Sequence, residues 1–259
     1  GEARLPLTTL SEFPEPPLLH ELGITLPEQI DIESIAQYCG ATVVYEPLKG
    51  CEGRLLGYHN KAIITVNHNA SPRRRRYSAA HELGHWMKHR GEVALVCESD
   101  QLIREWAGHR KEGAANRYAA ELLLPRYLFK PMLKDKPLTF ATINTLATQF
   151  QPSLAATAIR LVQFTNRHAV LICSSQEGRT WFEPSKSVTA HQNWPRRTVS
   201  PKSAAYTLLH RDEEPAGPKS VSASVWFGGK EAARAVVMED TIRVTSQLVL
   251  SLVVWSNVE

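Results

Sequence analysis

Between Ser71 and His89 the chain reads SPRRRRYSAAHELGHWMKH, and no other stretch limits its folding so strongly. Ser71 is a good helix N-cap, and Pro72 takes the favoured first position. On the helix that follows, His81 and His85 are four apart, so they share one face with Cβ atoms about 5–6 Å apart. Two imidazoles so placed reach one ion. Glu82, about 100° round from His81, flanks the ion without having to ligate it. Hydrolytic zinc chemistry needs this set: the metal lowers the pKa of a water, and the carboxylate takes its proton. A chance match to the pattern has a probability of roughly a few per cent in a chain this size. The bland alternative is a polar stretch on an ordinary helix. Context favours the metal, because the helix follows a strand-like run, KAIITVN, and Ala79, Ala80 and Gly84 leave room for close approach.

A catalytic zinc takes three protein ligands and keeps one position open. His89, Glu98, Asp100, Glu105, His109, Glu112 and Glu121 are candidates for the third. His89 sits on the same helix as the pair, and a straight helix does not easily wrap three ligands round one ion, so it reads as a polar flank. Glu112 opens a second strong helix, EGAANRYAAELLLP. Asn116 is one turn on, and Ala119, Ala120 and Leu123 continue roughly that face. Small residues there let this helix pack closely against the first. Glu112 then points at the ion, with Asn116 behind it; otherwise it is a helix-start carboxylate serving the dipole. Glu121 lies on another face and reads as solvent-facing or a structural partner.

Around these helices the sequence predicts an α+β chain. A short helix from about Ile32 to Tyr38 is followed by a β-branched run, Thr42 to Tyr45. Leu55 to Tyr58 pairs with Ala62 to Val66 in a hairpin, with His59-Asn60 at the turn. The run INTLATQFQPSLAATAIRLVQF suggests two short helices about Gln151-Pro152. After about Thr165 the texture becomes strand-like at Ala169 to Cys173, Val221 to Phe227 and Leu248 to Trp255, with Gly228-Gly229 as a hairpin signal. The expected division is an extended arm over 1–29, a peptidase-like core over 30–135, a helical segment over 136–165, and a mixed or β-rich domain over 166–259.

Composition narrows the classes. Of 259 residues, four are cysteine, irregularly spaced and without a CxxC pair. That fits a reducing cytoplasm and not a disulfide scaffold or a zinc ribbon. No apolar run is long enough for a membrane span, and the first residues hold no signal-peptide core. The formal charge of +4 permits an acidic partner without demanding nucleic acid.

RYSAAHELGHWMKH followed by EGAANRYAAELLLP resembles the ImmA/IrrE family of zinc-dependent endopeptidases. The second motif is similar to the family pattern E-x-x-x-N-x-[FY]-A-x-x-L-L-[ML]-P, filled here by Glu112, Asn116, Tyr118, Ala119, Leu122, Leu123 and Pro125. The resemblance covers about residues 30–165. It implies a minimal gluzincin-like core, zinc held by His81, His85 and Glu112, and Glu82 as general base. Manganese is the alternative metal in the cell, since availability can override preference. The implied substrate is a helix-turn-helix repressor, cut to release stress-response or mobile-element genes. Larger relatives carry a helix-turn-helix-like segment and a GAF-like sensor, matched in order by residues 136–165 and 166–259.

Further expectations concern how a substrate is held. KAIITVN is expected to be an edge strand whose backbone at Ile63, Ile64 and Thr65 pairs with the substrate by β-augmentation. The run Arg73 to Arg76 is expected to be a solvated face, with Arg76 able to turn inward. With only Arg160 and Arg167 as nearby cations, Leu138 to Phe164 lacks the basic stripe of a recognition helix. It reads as a scaffold or repressor-docking unit without direct nucleic-acid contact. Trp181, Phe182 and Trp226 read as core aromatics. The competing function is a metal-containing binding module that sequesters a repressor or toxin without cutting it; the intact Glu82 speaks against it. Sequence gives no oligomeric state.

Overall fold

The computed structural model describes residues 17–88, 95–98, 110–188, 194–215 and 217–256, with the backbone path alone at 95–98 and 110–112. The chain divides into two compact units. One comprises residues up to Leu128 together with Gln149–Ser153; the other comprises Phe129–Thr148 and Leu154 onward. Among the described residues no helix is long and apolar enough to cross a membrane.

The first unit is a four-stranded sheet with helices against it. Its helices are α1 (Pro17–Glu21), α2 (Ile32–Tyr38), α3 (Pro72–Lys88) and α4 (Arg110–Leu123), and its strands are β1 (Ala41–Glu46), β2 (Cys51–Tyr58), β3 (Lys61–Asn67) and β4 (Leu95–Glu98). The predicted hairpin forms about His59-Asn60: Leu55 faces Ile64, Leu56 faces Ile63, and Tyr58 faces Lys61 across the turn. His59 takes a φ of 52° there, a conformation that tight turns require. Side chains alternate across the pleat. Leu55, Ala62, Ile64 and Val66 are buried beneath α3, while Leu56 and Ile63 stand exposed on the other face.

Strand order is β1-β3-β2-β4. β3 therefore lies inside the sheet, paired in parallel with β1 and antiparallel with β2. This overturns the expected edge strand. The backbone of Ile63, Ile64 and Thr65 is spent on two neighbours and has no ladder left for a substrate. The expected extended arm also differs: residues from Pro17 to Glu21 are helical, with Leu18 and Leu19 buried. Tyr127 fastens the following loop by donating to the Ile24 carbonyl at 2.6 Å.

The second unit is built on a five-stranded antiparallel sheet. A short α5 (Arg126–Met132) begins in the first unit and ends in the second, which in chain order then holds most of α6 (Phe140–Phe150), α7 (Leu154–Phe164), β5 (Ala169–Ser175), β6 (Gly178–Pro184), α8 (Ala204–Arg211), β7 (Lys219–Ser222), β8 (Val236–Arg243) and β9 (Val249–Trp255). The order is β6-β5-β9-β8-β7. The central strands β5 and β9 are buried along almost their whole length, as strands covered on both faces must be. On one face Val170, Ile172, Val237, Val249 and Val253 pack with Leu208 of α8 and with Trp226 and Phe227.

The expected strand from Val221 to Phe227 stops at Ser222. The Ser222 hydroxyl accepts from the Ser224 backbone N–H and starts a short 3-10 turn, which carries Trp226 into the core. Gly228-Gly229 is accordingly not the turn of a hairpin. β7 and β8 do pair, Ser222 opposite Val236, but the whole of 223–235 joins them.

β8 ties the covering helices to this sheet. The Glu239 carboxylate accepts from the Ala204 N–H at 2.7 Å, at the start of α8. Its neighbour Asp240 accepts from the Phe140 N–H at 2.6 Å, at the start of α6. Helix N-termini leave unsatisfied donors that favour a carboxylate. Burial nevertheless pushes both carboxyl groups above their ordinary range.

Candidate active site

α3 begins where the sequence places it: Pro72 is its first residue, and Ser71 accepts from the Arg74 N–H at 3.4 Å. The four arginines that follow are largely engaged within the unit. Arg74 reaches Glu52 at 3.9 Å, and Arg75 lies over the Tyr45 ring at 5.4 Å. Arg76 turns inward and is half-buried; burial lowers its pKa, and nearby Asp31 opposes that. Arg73 stands exposed at the start of the run.

One turn on, the two histidines converge. Their Nε2 atoms stand 3.2 Å apart, and their rings meet edge to face with centroids 4.8 Å apart. Two nitrogens bound to one tetrahedral zinc at about 2.0–2.1 Å lie about 3.3 Å apart. The donor pair thus fits the ion in type and in spacing. His85 is fully buried and His81 is 7% exposed, so the pair sits in a low-dielectric pocket where a bound cation acts strongly.

Glu82 turns to the sheet side of α3. It is 1% exposed and lies against β2 at Gly53, where an added Cβ would come 2.8 Å from Oε1. One helical turn later, Trp86 covers Gly57 in the same way, at 2.9 Å from a ring carbon, and donates its indole N–H to the Cys39 carbonyl at 2.9 Å. Two glycines on one face of β2 thus seat two large side chains on one face of α3. Burial pushes the neighbouring Cys51 thiol above its usual range, against Arg54 and with help from the Glu82 carboxylate.

The opposite flank of α3 meets α4. Gly84 lies where a Cβ would come 3.0 Å from the Ala115 backbone and 3.2 Å from the Tyr118 Cβ. The helices touch as closely as the small-residue face predicts. Asn116 is buried and accepts a hydrogen bond from the Tyr77 hydroxyl at 2.6 Å. The Tyr77 ring stacks on His81 at 6.1 Å, with 26° between the planes.

The structure thus brings together His81, Glu82, His85 and Asn116. Glu112 lies in the first turn of α4, but its side chain is outside the described residues, as are the side chains of His89, Glu98, Asp100, Glu105 and His109. Among the described residues no group of three or more His, Cys, Asp or Glu gathers as a metal cluster. Glu121 is buried, not solvent-facing. It lines a cleft of about 790 Å³ with Leu18, Tyr38, Met87, Arg117 and Tyr118. Sequence reasoning missed Tyr77, Gly53 and Gly57, whose only signal was their period of four.

Residues 36–162 match the family model of the IrrE N-terminal-like domain, Peptidase_M78. The chain carries an ImmA/IrrE-family domain. The IrrE N-terminal-like domain is of a metallopeptidase kind, and its match takes in all of α3 and α4. The chain matches no curated protein. Among solved structures, one described as a Mycobacterium tuberculosis transcriptional regulator is similar at 14% identity and a TM-score of 0.57. The likeness covers 91% of this chain and 72% of that one. It speaks for the fold alone.

At the end of the matched region, α7 offers no basic stripe. Arg160 is 1% exposed and lies over the Phe164 ring at 4.6 Å. It also donates to Gln163 at 3.3 Å, and Gln163 donates to Glu183 of β6 at 3.1 Å. An arginine so placed is not available to a phosphate backbone.

Proposed function

We propose that the chain is a zinc-dependent endopeptidase making site-specific cuts in a regulatory protein, with a helix-turn-helix repressor as the substrate class. The observation that carries the reading is the buried His81–His85 pair, with Nε2 atoms 3.2 Å apart and Glu82 beside it. His81 and His85 hold the metal, and Glu112 supplies the third ligand from the first turn of α4. Zinc, when bound, supplies Lewis acidity that lowers the pKa of a water and polarises a peptide carbonyl. Glu82 takes the water's proton and returns it to the leaving amine. Its seat against Gly53 keeps the carboxylate beside the histidines without making it a ligand. Asn116 stands behind the ligand turn.

The second unit is proposed as the sensor, GAF-like in kind, that governs cutting. Support comes from its separate core and from a sheet whose central strands are covered on both faces.

The test is to incubate the purified chain with a helix-turn-helix repressor and zinc, and to weigh the products by mass spectrometry. Two defined fragments, absent with Glu82→Gln although that variant retains zinc, are expected. Tight repressor binding with no cleavage under any metal would replace this reading with the sequestering module.

A further inference from the structure

β2 gives its two faces to different tasks. One face is taken by α3, where Gly53 and Gly57 seat Glu82 and Trp86. The other face carries Arg54, Leu56 and Tyr58, all exposed. Leu56 is 53% exposed and stands directly opposite Ile63 of β3, which is 46% exposed. Tyr58 is 76% exposed, two residues on from Leu56 and diagonal to Ile63. In an antiparallel pair, opposed Cβ atoms lie about 4.5–5.5 Å apart and diagonal neighbours about 7–8 Å apart. The three side chains therefore form one continuous apolar ridge. A single exposed apolar residue is ordinary, whereas a contiguous group rimmed by polar residues marks an interaction site.

The charge beside the ridge has one sign. β1, β2 and β3 hold two cations between them, Arg54 and Lys61, and both are exposed on this face. Lys61 is directly opposite Tyr58, and Arg54 is two residues before Leu56. The same strands hold two carboxylates, and neither borders the ridge. Glu46 ends β1 opposite Asn67, while the residue beside Ile63 is Thr42 at the strand's start. Glu52 turns to Arg74 of α3. The surface thus fits a partner with an apolar stripe flanked by carboxylates. A second copy of this chain fits it poorly, because the cations of both copies would meet, and like charges across an interface cost affinity.

We infer that this face is an exosite, which docks an acidic amphipathic segment of the protein substrate on Leu56, Tyr58 and Ile63 between Arg54 and Lys61. This rests on the peptidase reading of the site. β2 links the two places: the strand that seats the Glu82 carboxylate on one side presents the ridge on the other. A substrate docked here is held one sheet's thickness from the base. Such docking is the same in the ground state and the transition state, so it lowers KM and leaves kcat alone. It gives the enzyme a way to choose one protein without reading the bond it cuts.

The experiment compares two substrates of the zinc-loaded full chain: a helix-turn-helix repressor that it cuts, and a short synthetic peptide spanning the bond cut. Leu56→Thr/Ile63→Thr keeps the strand in residues that suit it. It is expected to raise KM for the repressor about tenfold, with parental kcat. Arg54→Glu/Lys61→Glu is expected to raise that KM as well, and to abolish the rise of KM with salt that the parent shows. Both variants should cut the short peptide with parental kcat/KM. Parental KM for the repressor in both variants, while the parent cuts it, overturns this inference alone. An equal loss on the short peptide also overturns it, because the substitutions would then act on the site itself. A parental dimer that Leu56→Thr/Ile63→Thr dissociates, with repressor KM unchanged, would give the face to a second copy instead. A parent that cuts no helix-turn-helix repressor under any metal removes the peptidase reading and this inference with it.

Discussion

Glu82 and Gly53 occupy one space: a Cβ at position 53 would stand 2.8 Å from the Glu82 Oε1 and 3.0 Å from its Cγ. Position 53 is thus a steric control on the carboxylate. Gly53→Ala should push Glu82 out of line with the histidines and slow cleavage by about 10–100-fold. Zinc content should stay that of the parent. Single-turnover rates with metal analysis on the same sample check this; an unchanged rate would show that the seat does not set the base.

His81 and His85 should act as one site. Either alanine variant is expected to lose stoichiometric zinc and the metal's stabilisation of the chain. At a zinc concentration about 100 times the Kd, that stabilisation is about 2.7 kcal/mol. Melting curves with and without zinc read it directly. A zinc-dependent shift that survives His85→Ala would place the metal elsewhere.

Gly84 should resist any larger residue. Its neighbours are the Ala115 Cα and carbonyl oxygen, which cannot rotate away as a side chain can. Gly84→Val should cost about 1–3 kcal/mol by overpacking, seen as a lower urea midpoint with little change in slope. It should also weaken zinc binding, because α4 must shift away from α3. Parental stability would mean that the helix pair yields without strain.

The second unit should lose stability as pH rises. Burial pushes the Glu183 carboxyl up to about 7, although its bond from Gln163 opposes this. A carboxyl raised on folding keeps its proton in the folded state, so stability is highest below the unfolded pKa and falls until pH passes the folded one. The fall should run from about pH 4.5 to about pH 7 and reach on the order of 3 kcal/mol. Glu239 and Asp240, also raised by burial, push in the same direction. Glu183→Gln should therefore flatten the profile partly, as denaturant midpoints at pH 5 and pH 8 would show. An identical slope in the variant would assign the whole effect to the other carboxyls.

What could be read from the sequence was local. The hairpin at His59-Asn60, the start of α3 at Ser71-Pro72 and the helices either side of Gln151 each depend on residues a few positions apart. The histidine pair was legible for the same reason. The position of β3 was not, because it depends on β1 pairing in parallel across it, a long-range choice that leaves no periodic trace. Val221 to Phe227 has strand composition, yet Ser222 turns the chain so that Trp226 is buried. Gly53 and Gly57 look like weak points in a strand until Glu82 and Trp86 are seen resting on them.

The adjacent carboxylates of β8 have one more consequence. Glu239 and Asp240 project to opposite faces of the sheet, and each receives the first N–H of a different helix. A slip of β8 by one residue would exchange the faces and break both anchors together. Misregistered folding would thus be rejected from two directions at once. Two neighbouring letters of the sequence act as a proofreading mark for the placement of two helices some sixty positions apart in the chain.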